Sequence, residues 1–183
     1  MTVEPDEIAT LRKTGDTYEL RFVRDFPHER QRVWAAITDP HETVRWWAES
    51  RVDLRVGGEF RVRWLNCDDG EPREWLGGEI VQLRPPQHTD PGLIEFTNEA
   101  HGLLRFELEP TPVGTRLVFV ARSTPPEEKY LAMSLAGWHV HLEHLAAVLD
   151  GTVDAIDWPD WNREHLPRWQ VLHEYYLSST SPA

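Results

Sequence analysis

Three histidines fall within six positions of the stretch GWHVHLEHLAAVLDG, residues 137–151: His139, His141 and His144. Imidazoles this close along a chain suggest either a metal centre or general acid–base catalysis. Angular spacing bears on the first. Residues two apart on a helix point about 200° apart, so His139 and His141 lie on opposite flanks and cannot share one ion. His141 and His144 are one turn apart. The apolar stripe of the same helix, however, centres about 70° from His141 and about 130° from His144. This predicts that His141 borders the interior and His144 faces solvent. The zinc-protease spacing H-E-x-x-H is missing, and its nearest approach, HETVR, has Arg45 where the second histidine would stand. A core helix with flanking polar histidines is expected, with no metal and no other cofactor.

Other reactive groups are sparse. Cys67 is the only cysteine and sits in the acidic turn NCDDG, where neighbouring carboxylates would raise its pKa and disfavour a nucleophilic role. NCDDG lacks the alternating ligand spacing and distant Glu of a calcium loop and reads as a hairpin turn. No G-x-S-x-G elbow, phosphate-cradling glycine loop or dinucleotide fingerprint is present. His141 is the first candidate for a catalytic group, and Glu79, beside Gly77 and Gly78, the second. Facing one pocket, the two would abstract a proton from a ketide-like or carbonyl substrate.

The elements that position these residues follow from periodicity. Trp138, Leu142, Leu145 and Leu149 form one helical stripe, extended backward by Leu135 and Leu131. Thr124, Pro125 and Glu127 supply a cap, a first-turn proline and a capping-box carboxylate for that helix, which runs toward Asp150 with a bend expected at Gly137. TYELRFVRDF (17–26) alternates as a half-buried strand. Two short helices follow, the second capped by Asp39 and continuing through VRWWAE. From residue 51 the period becomes two. RVDLRV, GEFRVRW, EWLGGEIVQL, GLIEFTNE, GLLRFELEP and GTRLVFVARS read as six strands, with short connections that imply antiparallel neighbours.

Composition narrows the partners. The 183 residues are 40% hydrophobic and 27% charged, which suits a single domain with a sizeable core. A net charge of −12 argues against nucleic acid and against an anionic membrane surface. One cysteine, no membrane-length apolar run and a polar N-terminus lead to the expectation of a cytoplasmic protein. Nine tryptophans point to a large core or an aromatic cavity wall.

FPHERQRVWAAITDPHETVRWWAE followed by DLRVGGEFRVRW resembles the opening of the SRPBCC (START-like) superfamily. GGEIVQLRPPQ, LEPTPVGTRLVF and GWHVHLEHLAAVLDG continue that resemblance, in order, to the branch of homologues of the activator of the heat-shock-protein-90 ATPase. The resemblance spans roughly residues 17–151. It implies an α+β helix-grip fold, with a curved antiparallel sheet wrapped around the long C-terminal helix and enclosing a mostly apolar cavity. Residues 1–16 are then a disordered N-terminus and 152–183 an aromatic-rich helical tail packed on the domain. Cavity-lining residues are expected to be Trp46, Phe60, Val62, Trp64, Phe106, Phe119, Trp138, His141, Leu142 and Leu145. The leading functional reading is a binding module for a small apolar or amphipathic ligand, acting as a monomer or homodimer. A cyclase- or isomerase-type enzyme in the same cavity and a chaperone-interacting module are the alternatives.

Overall fold

Phe22, Phe119, Phe106 and Ile94 stand side by side across four strands, and this row sets the register of the sheet. The computed structural model describes residues 8–66, 73–87, 90–125 and 129–180. In chain order they form β1 (Thr10–Thr14), β2 (Thr17–Phe26), α1 (Arg30–Thr38), α2 (Pro40–Thr43), β3 (Glu49–Val52), β4 (Glu59–Arg63), β5 (Leu76–Arg84), β6 (Gly92–Asn98), β7 (Gly102–Thr111), β8 (Gly114–Ser123), α3 (Lys129–Leu149), α4 (Trp161–Glu164) and α5 (Leu166–Thr180). The eight strands make one antiparallel sheet in the order β1-β2-β8-β7-β6-β5-β4-β3. Helices α1 and α2 carry the chain from β2 to the far edge, and a meander brings it back.

Local chemistry accounts for the elements. Tyr18, Leu20, Phe22 and Phe26 of β2 are buried between exposed or half-buried neighbours, the period-two signature of a strand with one covered face. Asp39 accepts from the His41 backbone N–H at 2.9 Å, and Pro40 opens α2, which ends at Thr43 instead of running through Trp46 and Trp47. On β5, Gly78 lies opposite Phe60 and presents no side chain. The Phe60 ring stacks on Phe96 of β6 with centres 3.9 Å apart and planes 6° from parallel. A side chain at Gly78 would also strike the Thr97 backbone, its Cβ lying 2.3 Å from that carbonyl oxygen. Gly137 does not interrupt α3, which is continuous over its 21 residues. Pro167 falls in the first turn of α5, where its missing N–H costs no intrahelical bond.

The α+β composition agrees with the sequence reading, but the wrapped arrangement does not. The sheet is open, with β1 and β3 as its two edges, and it is not curled around α3. The α3 backbone approaches the sheet closely only near β2 and lies mainly along α5. Side-chain bulk explains the difference. Trp138 of α3 inserts between helix and sheet, its ring centre 4.2 Å from Phe119 and 5.3 Å from Trp47. Such large rings hold the backbones apart, and α5 packs along another side of α3, where Tyr176 meets His139. The strand Thr10–Thr14 also lies inside the stretch expected to be disordered. The NCDDG turn with Cys67, apart from Asn66, and part of the expected α3 cap fall outside the described residues.

Candidate functional site

The turn between β6 and β7 carries the residue around which the site is built. Asn98 Oδ1 accepts from the backbone N–H groups of Ala100 and His101, closing the turn. Gly102 then adopts φ +75, and a Cβ there would lie 2.2 Å from the Arg122 carbonyl oxygen, so only glycine fits. The turn places the His101 ring between two indoles, 5.3 Å from Trp64 and 5.4 Å from Trp138, edge-on to both.

This aromatic group walls a partly open cleft of about 560 Å³ between the β6–β7 turn, the end of β8 and the first half of α3. Helix α3 contributes Tyr130, Met133, Gly137, Trp138 and His141, which share one face through the three- and four-residue repeat. Tyr130 and Met133 are exposed at the mouth, whereas Trp138 is buried at the inner end. A second hollow of about 610 Å³ lies beyond Trp64 and His101, which border both.

Of the ten residues expected at a cavity, Trp64, Trp138 and His141 line this cleft. Trp46, Phe60, Val62, Phe106, Phe119, Leu142 and Leu145 are fully buried in the core behind it. Trp47 is the centre of that core, with ring centres of Phe60, Phe96, Phe106 and Trp138 all within 6.5 Å. Glu79 is exposed on β5, where its backbone N–H donates to Thr97 Oγ1 at 2.9 Å. It is not among the cleft residues, so the His141–Glu79 pair is not assembled.

His101 and Tyr130 escaped the sequence reading. His101 lies in a turn, where periodicity carries no signal. Tyr130 belongs to a second stripe of α3, rotated from the leucine stripe that drew attention first.

The histidines are governed by burial. Desolvation holds His101 and His141 down to about 4, and for His141 the Trp46 backbone carbonyl opposes the shift. His144, expected to face solvent, is 6% exposed, and burial brings it to about 2. The C-terminal segment covers that flank of α3, with Trp158 at 6.4 Å and His165 at 4.4 Å between ring centres. His139 is also buried. Its Nδ1 lies 2.8 Å from the Tyr176 hydroxyl of α5, and desolvation followed by the charges of Arg24 and Arg168 holds it to about 3. All four imidazoles are therefore neutral at neutral pH. Among the described residues, no three His, Cys, Asp or Glu side chains converge to hold a metal ion. No helix of the described residues is long and apolar enough to cross a membrane.

Comparison with solved structures shows the same fold in distant chains. A conserved protein of unknown function from Enterococcus faecalis superposes with a TM-score of 0.68 at 20% identity, covering 93% of this chain and 89% of that one. CalU16 from Micromonospora echinospora gives 0.63 at 23% identity, covering 95% of both chains. The AHSA1-like protein from Aeromonas hydrophila gives 0.61 at 22% identity, covering 73% of this chain and 93% of that one. No curated protein gives a significant match. The sequence profile described as Activator of Hsp90 ATPase homolog 1-like protein matches residues 27–150, from just before α1 to the end of α3. The chain therefore belongs to the family of Activator of Hsp90 ATPase homolog 1-like proteins, in the SRPBCC superfamily.

Proposed function

We propose that the protein binds a small, largely apolar molecule in the cleft between the β6–β7 turn and α3. The observation that carries this reading is the cleft itself, about 560 Å³ and walled by Trp64, Trp138, Tyr130 and Met133. That volume lies within the range of about 300–1,000 Å³ common for small-molecule sites, and an apolar wall with a few polar groups is their usual composition. A cyclase- or isomerase-type reaction in the same cleft draws support from His101 and His141 on its wall. Imidazoles held near 4 are weak proton acceptors at neutral pH, which favours binding over turnover. A chaperone-facing role rests on the family's name and on no surface described above.

The test is native mass spectrometry of untagged protein, together with titration by an environment-sensitive apolar dye. A retained small molecule, or saturable dye binding lost in Trp64→Ala and Met133→Glu, is the expected result. Absence of both retained mass and saturable binding in the unaltered protein would sink the reading.

A further inference from the structure

The cleft wall is mostly apolar, and hydroxyls of Ser123, Thr124, Tyr130 and Ser134 are among its polar groups. Among the described residues that line it there is no lysine or arginine. Its one carboxylate, Glu99, is exposed at the rim and accepts from the Gly77 backbone N–H at 3.2 Å. At the inner end, Trp138 is 2% exposed and its indole N–H has no hydrogen-bond partner. His141 lies next to it, ring centres 5.9 Å apart, and its Nδ1 is likewise buried without a partner. A buried donor without an acceptor is unfavourable, and the Trp138 N–H is such a donor. In the tautomer with its single proton on Nδ1, the neutral His141 ring supplies a second one beside it.

Charge decides what these two groups accept. A carboxylate or phosphate seated there would meet neutral rings and no cation, so its desolvation would go uncompensated. A cation would find aromatic faces, but it would also meet the positive end of the indole N–H, with the only carboxylate away at the rim. An uncharged acceptor suffers neither penalty. Resting on the ligand-binding reading above, we propose that the cleft takes an uncharged molecule with a rigid apolar body and a carbonyl-type acceptor, the acceptor seated against the Trp138 indole and the His141 imidazole. The body then lies along Trp64, Met133 and Tyr130 toward the mouth.

Calorimetric titration with four compounds of one skeleton tests this: fluorene, 9-fluorenone, fluorene-9-carboxylate and 9-aminofluorene. The ketone is expected to bind about tenfold tighter than the hydrocarbon, and both charged compounds more weakly than the hydrocarbon. In Trp138→Phe and His141→Leu the ketone should fall toward the hydrocarbon, whose own affinity is kept. Equal binding of ketone and hydrocarbon by the unaltered protein, or tightest binding by the carboxylate or the amine, overturns the proposal while leaving a ligand site in place. A ketone preference that survives both substitutions overturns the assignment to these two side chains. Failure of all four compounds to bind removes the ligand-binding reading itself.

Discussion

The imidazoles of His144 and His165 meet edge to face with ring centres 4.4 Å apart, joining α3 to the segment between α4 and α5. His141 lies 6.0 Å from His144 on the other side, so three histidines run from the cleft wall into the C-terminal layer. Burial lowers the pKa of each.

Stability should therefore fall in acid. In the unfolded chain a histidine takes up its proton near pH 6.5, whereas His101, His139, His141 and His144 stay neutral when folded down to about 4 or below. The unfolded state then binds more protons, so stability is fully present above about pH 6.5 and is lost as pH falls toward 4. Each such histidine contributes at most about 1.4 kcal/mol per pH unit in that window. Urea midpoints measured from about pH 7.5 to about pH 5 should decline steadily, and His144→Phe should flatten the slope. A midpoint constant across that range would contradict the burial of these rings.

Tyr176→Phe should destabilise the protein without touching the cleft. The hydroxyl lies 2.8 Å from His139 Nδ1 and accepts from the Ala9 backbone N–H at 3.2 Å, tying α5 to α3 and to the N-terminus of β1. Its removal leaves buried groups without their partner, at a cost of about 1–2 kcal/mol. Denaturant unfolding reads the loss, and unchanged dye affinity shows that the effect is confined to this junction.

Leu142 and Met133 should separate packing from binding. Leu142 is fully buried and does not line the cleft, so Leu142→Ala should cost about 2–5 kcal/mol and leave dye affinity near its original value. Met133 is 42% exposed and lines the cleft. Met133→Ala should change stability by less than about 0.5 kcal/mol and weaken dye binding. Parallel unfolding and titration of both variants would expose a reversed assignment at once.

Gly102→Ala should injure both properties together. Its φ of +75 disfavours any side chain, and the added carbon would lie 2.2 Å from the Arg122 carbonyl oxygen. The β6–β7 turn would have to shift, and His101 with it. A lower melting temperature and weaker dye binding are expected. Ligand binding at full strength in this variant would show that the turn does not shape the cleft.

These sites differ in how far the sequence reveals them. The alternation of Tyr18, Leu20 and Phe22 and the stripe through Leu142 and Leu149 are strong signals because each element has one covered face. Thr10–Thr14 has no such signal, since four of its five residues are exposed on a sheet edge. The angle of His144 on α3 is correct relative to the leucine stripe. What the angle cannot tell is that His165 and Trp158 arrive from elsewhere to cover that flank. The cleft is harder still to see: Trp64, Trp138 and His141 are among the residues expected at a cavity, but His101 lies in the β6–β7 turn, where neither period applies.

An open sheet carries a hazard that a closed one avoids. Among the described residues, no strand lies beside β1 or β3 on its outer side, and each offers a row of backbone donors and acceptors to any passing chain. Both margins bear cations in a protein of net charge −12: Arg12 and Lys13 on β1, and Arg51 on β3, stacked 4.2 Å from the Trp75 ring. Two copies meeting along β1 would bring like charges together, whereas on β3 Arg51 is accompanied by Glu49. The repulsion at the β1 margin should weaken with rising ionic strength as the screening length contracts from about 30 Å at 0.01 M to about 3 Å at 1 M.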